Sequence, residues 1–220
     1  MPEPVTPPAM SPLLLNDNSI YAQILNDIAE GVYISGDRLV TTSLAKRYHT
    51  SINPVREALK QLQGEGFVTV QPNSGARVAK FEYATMRDVF ELLALLEPYL
   101  LEWFVTEHSQ EQLEKVIAIQ GEMEKLTEAE HLTYRAYDNQ FHWYIYSCHY
   151  NQTTVELWRQ KRLMLHAMHA SLTLTQSRMQ QSISEHRQLI QAISKRDVDQ
   201  ALSILNGHIS HSGQYWSRYL

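Results

Sequence analysis

From residue 84 to its end the chain holds one proline, Pro98, and three glycines. This scarcity of helix breakers constrains the fold more than any other feature. Proline and glycine are the residues that stop helices and turn chains. A long stretch nearly free of them, with apolar residues at helical spacing, reads as consecutive helices joined by short connections. The spacing predicts helices over 85–106, 109–127, 130–149, 154–174, 178–195 and 197–218, with Ser109, Thr153, Ser177 and Asp197 as N-caps. Six such helices form a bundle whose interior can hold a ligand. The most apolar segment, 89–105, is interrupted by Glu91, Glu97, Pro98 and Glu102. It is a core helix with a bend near Pro98 rather than a membrane span, which needs about 20 apolar residues with few charges.

The first 80 residues have a different chemistry. They hold seven Lys/Arg and seven Asp/Glu, whereas residues 81–220 hold twelve and seventeen and so supply the whole net charge of −5. His49 is the only one of ten histidines before residue 81. The contrast divides the chain into a lead-in (1–16), a first domain (17–80) and a second (81–220). Four prolines in MPEPVTPPAM make the lead-in a disordered segment with no signal-peptide pattern. Cys148 is the sole cysteine, which excludes an intrachain disulfide and points to a reducing, cytoplasmic setting without a membrane.

In the first domain, residues 19–31 put Ile20, Ile24, Leu25 and Ile28 on one helical face, with Ser19 as N-cap and Gly31 as stop. Residues 41–49 form a short helix burying Leu44, Ala45 and Tyr48. A third helix starts at about Ser51, because Pro54 is tolerated only in a first turn, and ends near Gly64. Strands at 67–70 and 76–80 follow, joined by a turn over 71–75. Three helices and a hairpin are the order of a winged helix-turn-helix, whose second paired helix enters the DNA major groove. Ser51 and Pro54 fix where that helix begins, so Asn53 and Arg56 stand at its start. Lys46, Lys60 and Arg77 add cations for phosphates. The same scaffold is also used for protein contacts.

The second domain carries polar residues on apolar faces. Asp138 and His142 are one helical turn apart, His186 sits among Ile183, Leu189, Ile190 and Ile193, and His208 is one turn from Ile204 and Leu205. One carboxylate and three imidazoles on inward faces of three helices suit a first-row divalent metal with positions left for water or ligand. Each histidine taken singly reads as a hydrogen-bonded core residue. His166 and His169 are a competing pair, and His149 and His211 are further candidates.

The run SGDRL…LAKRY…SINPVREALKQLQGEGFV…NSGARVA (over residues 19–80) resembles the GntR family of bacterial transcription regulators. Residues 85–216 are similar to the all-helical FCD effector domain of that family's FadR-type branch. The resemblance implies a mostly α chain with a winged helix-turn-helix and a C-terminal helical bundle. It implies DNA contacts at Thr42, Ile52, Asn53, Arg56 and the wing near Gly75, beside the cations Lys46, Lys60 and Arg77 and the helix start at Ser51. It also implies a divalent metal (Zn, Ni or Mn class) held by Asp138, His142, His186 and His208. The partners implied are a near-palindromic double-stranded operator, a small carboxylate effector and a second copy of the chain; repression and activation both stay open.

Three positions depart from the pattern: Thr42 and Ile52 stand where arginine is common, and Leu93 where an E-L-R segment has one. Either Arg162 substitutes to hold the effector, with Tyr134 and His166, or the effector is less acidic. A metal-dependent hydrolase using the same Asp/His set, with Glu185 or Tyr134 as base, is the rival reading.

Overall fold

The computed structural model describes residues 12–14, 16, 18–71, 75–80, 82–169 and 172–219. They fall into two compact units, one of Leu14–Glu82 with Leu163–Leu172, the other of Tyr83–Arg162 and Thr173–Leu220 with Met1–Leu13.

In the first unit, α1 (Ile20–Ala29) is capped by Ser19, whose Oγ accepts from the Ala22 amide at 3.0 Å. β1 (Arg38–Leu39) and α2 (Thr41–Arg47) follow. α2 ends earlier than residue 49, where His49 takes a positive φ of 50°. Tyr48 is only half-buried, and its hydroxyl donates to Asp27 at 2.7 Å. α3 (Ile52–Glu65) starts where Pro54 requires and ends at Gly66, whose φ of 89° is a left-handed cap. Ser51 occupies the N-cap position with extended backbone, but its side chain makes no cap hydrogen bond, contrary to expectation. Val55, Ala58, Leu59 and Leu62 bury one face of α3, and α3 packs on α1.

The hairpin is β2 (Val68–Gln71) with β3 (Gly75–Val78), and the sheet order is β1-β3-β2, antiparallel throughout. Arg77 pairs with Thr69 on one side and Arg38 on the other. β1 was not expected, because two residues are too few to show a period. Positions 72–74 of the expected turn lie outside the described residues.

The second unit is helical: α4 (Tyr83–Glu107), α5 (Gln110–Met123), α6 (His131–Ser147), α7 (Gln152–Met168, shared with the first unit), α8 (Gln176–Ser194) and α9 (Val198–Trp216). α4 runs through Pro98 as one helix. Ser109 caps α5 with a reciprocal capping box, and Asp197 caps α9.

Two expected caps are displaced. Asn151, not Thr153, accepts from the Thr154 amide through Oδ1 at 3.2 Å, and Thr175, not Ser177, accepts from the Arg178 amide at 3.4 Å. α7 also stops at Met168 rather than 174, and the β-branched Thr173 and Thr175 beyond it favour extended backbone. Leu13, within the stretch read as a lead-in, is fully buried, and its carbonyl accepts from Arg159 Nη1 at 2.6 Å; residues 1–11 and 15 lie outside those described.

The core includes a buried carboxylate. Glu97 is 2% exposed and accepts from the Tyr146 hydroxyl at 3.1 Å and from Trp158 Nε1 at 2.9 Å. Two neutral donors satisfy its oxygens at a depth where an unbonded carboxylate would be costly. Leu93, one turn earlier on α4, is 1% exposed in the apolar core.

Candidate metal centre

α6 carries Asp138 and His142 one turn apart, α8 carries Glu185 and His186, and α9 carries His208 and His211. α8 and α9 pack side by side, and α4 packs on α6, α8 and α9, so inward residues of these helices meet in one interior. His142 and His186 are fully buried and His208 is 6% exposed. Their ring centroids lie 5.2 Å (His142–His186), 5.4 Å (His142–His208) and 4.8 Å (His186–His208) apart. Each ring offers one nitrogen such that all three nitrogens lie within 4.8 Å of one another. Phe141 stacks on His186 at 4.3 Å and 11°, which fixes that ring from one side.

Both nitrogens of His142 and both of His186 are buried without a hydrogen-bond partner. Leaving a buried donor or acceptor unpaired costs roughly 1–3 kcal/mol, so four such atoms in one place mark a site shaped for something else. Burial, and then the charge of Arg162, push the His142 pKa well below its ordinary value. Burial and then His208 lower His186 to about 3. Both rings are therefore neutral at physiological pH, with lone pairs open to a cation.

His208 is held differently. Its Nδ1 lies 2.7 Å from one Glu185 oxygen, and His211 Nδ1 lies 2.8 Å from the other. A carboxylate on Nδ1 leaves Nε2 as the free lone pair, the arrangement that orients imidazole ligands in metal proteins. Burial by itself would raise the Glu185 pKa. The hydrogen bonds from His208 and His211, with Arg178 at 3.4 Å, outweigh it and hold the group at about 2. Asp138 stands beside the cluster: its Oδ1 is 3.7 Å from His186 Nε2, and its Oδ2 accepts from Arg162 Nη2 at 2.6 Å.

The structure thus brings together His142, His186 and His208, with Asp138 adjacent to one of them. Arg162 serves Asp138, and its Nε lies 3.4 Å from Asn139 Oδ1. Tyr134 is 2% exposed one turn before Asp138, and burial, then the Asp138 carboxylate, raise its pKa. His166 and His169 fall in the first unit, and His149 lies among the rings of Tyr99, Trp103 and Tyr150. Among the described residues the only metal-capable group is the three-histidine cluster. Glu185 as anchor of His208 was missed. The signal was present, since an acidic residue next to a histidine on an inward helix face is well placed to touch a neighbouring helix.

In the first unit, Ile52, Asn53, Arg56 and Lys60 lie on the exposed side of α3, opposite its buried face. Thr42 and Lys46 are exposed on α2, Ser51 is exposed ahead of α3, and Gly75 is exposed at the start of β3 with φ 77°. Arg77 is half-buried and donates to the Gly36 carbonyl at 3.0 Å, so its guanidinium is partly engaged within the sheet. No helix among the described residues is long and apolar enough to cross a membrane.

Residues 88–211 match the model of the FCD domain, and residues 16–78 match that of "Bacterial regulatory proteins, gntR family". The chain is 21% identical over 205 residues to the HTH-type transcriptional regulator YdhC of Bacillus subtilis, covering 91% of this chain and 90% of that one. It is 33% identical over 98 residues to the HTH-type transcriptional repressor GlaR of Escherichia coli, 44% of each chain. Among solved structures, E. coli McbR/YncC superposes with a TM-score of 0.78 at 17% identity, covering 94% of this chain and all of the other. A GntR regulator from Rhodococcus sp. RHA1 gives 0.74 at 15% identity, covering 89% and 94%. At those identities the structural likeness speaks for the fold.

Proposed function

Since this chain belongs to the GntR family of bacterial regulatory proteins, in the branch with an FCD domain, we propose that it is a metal-centred sensor of a small carboxylate. It is a transcription regulator; the families and relatives it matches are regulators rather than enzymes. The hydrolase reading is set aside on that ground. The observation that carries the metal is the set of unpartnered, buried, neutral imidazole nitrogens of His142 and His186 beside the Nε2 of His208.

In this reading His142, His186, His208 and Asp138 hold a divalent ion of the zinc, nickel or manganese class. The ion supplies a Lewis-acidic position for a carboxylate oxygen. Glu185 sets the His208 tautomer, Phe141 fixes the His186 ring, and Arg162 holds Asp138 in place. Arg162, bonded to Asp138, and Tyr134, one turn before Asp138 on α6, are the side chains assigned to the bound acid. A cytoplasmic homodimer would place two copies of α3 on the halves of a near-palindromic operator, with Asn53, Arg56 and the wing at Gly75 against DNA. The acid alters DNA binding only by favouring one arrangement of the two heads over another, because equal affinity for both shifts nothing.

The test is metal analysis of untagged, full-length protein after exposure to zinc, nickel and manganese in turn. About one equivalent in the wild type and none in a folded Asp138→Ala/His142→Ala variant is expected. Full metal content in that variant, or none in the wild type with any ion, refutes the reading.

A further inference from the structure

Between the start of α8 and the end of α9 lies a cleft of about 310 Å³, whose lining includes Ser177, Arg178, Gln181, His211, Gln214 and Arg218. Two guanidinium groups and an imidazole line it, and no carboxylate does. Arg178 is 5% exposed; it is matched by Glu185 at 3.4 Å and donates to Ser212 Oγ at 2.7 Å. Arg218 is exposed, lies beside Tyr219, and has no ion-pair partner among the described residues. A recess rich in N–H donors, with one guanidinium that has no ion-pair partner among the described residues and no acid among its lining residues, is chemically suited to an oxyanion.

None of the three clustered histidines lines this cleft, yet it is wired to them. His211, on its wall, and His208, in the cluster, are bonded to the two oxygens of the same Glu185 carboxylate, and Arg178 meets one of those oxygens. An anion that draws on Arg178 or His211 therefore competes with Glu185 for them and alters how firmly Glu185 holds His208. We propose that the cleft binds the carboxylate or phosphate group of a second small molecule, at a site separate from the histidine cluster and coupled to it through Glu185. Anion binding stands without the metal; only the coupling rests on the metal-centred reading above. Coupling of this kind is reciprocal, so metal and anion each change the other's affinity by the same factor.

Full-length protein freed of metal by chelation is titrated calorimetrically with inorganic phosphate and, separately, with acetate at low salt. Saturable binding of one probe per chain is expected, weakened by about tenfold or more in Arg218→Gln, the loss of one charge-assisted contact. Phosphate alone binding identifies a phosphate group as the ligand, and acetate alone a carboxylate. No saturable binding of either probe up to millimolar concentrations, or equal affinity in Arg218→Gln, overturns the site. Binding that appears only after zinc is restored also overturns it, since the anion is then on the metal.

Zinc affinity is then measured with and without the saturating probe by competition with a chromophoric chelator. A change of about threefold or more in the wild type and none in Arg218→Gln supports the coupling. An unchanged zinc affinity in the wild type overturns it.

Discussion

Asp138 and Arg162 form an ion pair at 2.6 Å, each side chain only 16% exposed, and the carboxylate oxygen outside the pair faces His186. One carboxylate thus belongs at once to a salt bridge between α6 and α7 and to the edge of the histidine cluster. Removing one partner of a shielded pair strands the other charge. Arg162→Met is expected to lower stability by about 3 kcal/mol, the low end for a broken buried pair given the residual exposure. Asp138→Asn/Arg162→Met should cost less than the two single changes summed. Urea unfolding of the four proteins closes the cycle, and simple additivity would show that the pair is not coupled.

Glu185 orients His208 without belonging to the three-histidine cluster. Glu185→Gln keeps the size and a hydrogen-bond acceptor but removes the charge. Loss of such a support costs about 10–100-fold in metal affinity, which competition with a chromophoric chelator resolves. His211→Gln, bonded to the same carboxylate but outside the cluster, should change the affinity far less.

In metal-free protein the histidine cluster makes stability depend on pH in a defined direction. His186 has a pKa of about 3 when folded against 6.5 as its ordinary value. Above pH 6.5 the ring is neutral in both states and contributes no pH dependence. Below it the unfolded chain takes up a proton that the folded chain refuses. Stability then falls by about 1.4 kcal/mol per pH unit for each such ring until pH approaches 3. His142 is shifted the same way. The urea midpoint of metal-free protein should therefore drop between pH 6.5 and 5, and drop less steeply in a folded His142→Asn variant. A flat profile over that range would mean the rings are hydrated.

Arg56 is exposed on the face of α3 opposite the core. Arg56→Ala is expected to leave the fold and metal content unchanged while removing operator discrimination. One good bidentate base contact is worth about 1–3 kcal/mol, or roughly 5- to 150-fold in affinity. Fluorescence anisotropy against operator and scrambled duplex at fixed salt separates the two effects. Equal losses on both duplexes would assign Arg56 to phosphate instead.

Two serines at helix starts make a matched comparison. Ser109 completes a capping box on α5, whereas Ser51 makes no side-chain bond at the start of α3. Ser109→Ala should cost about 1 kcal/mol, and Ser51→Ala much less. Denaturant unfolding compares them directly.

Much of this architecture was legible because its signals are local. Pro54 placed the start of α3 correctly, and the shortage of glycine and proline after residue 84 gave six helices with ends displaced by a few residues. Asp138 and His142 were readable as a pair because four residues is one turn. That His186 and His208 meet them is a property of helix packing, which no spacing within one helix encodes. The sequence Leu-Thr-Leu-Thr-Gln-Ser offers several hydroxyls that can cap α8, and only the direction of chain entry selects Thr175 over Ser177. β1 was invisible at two residues. Arg162 and His166 stand one turn apart on α7, on either side of the residue boundary between the two units.

The bond from the Trp158 indole to the Glu97 carboxylate gives the protein a built-in optical reporter. Trp158 is fully buried, packs edge-on against Tyr146 at 4.9 Å, and Tyr146 in turn lies 5.9 Å from the His142 ring. Indole emission depends on the charges and rotational freedom around it, so a rearrangement at His142 reaches the fluorophore through a single intervening ring. The state of the interior can be followed by light, on unlabelled protein, while DNA is bound or released elsewhere on the chain.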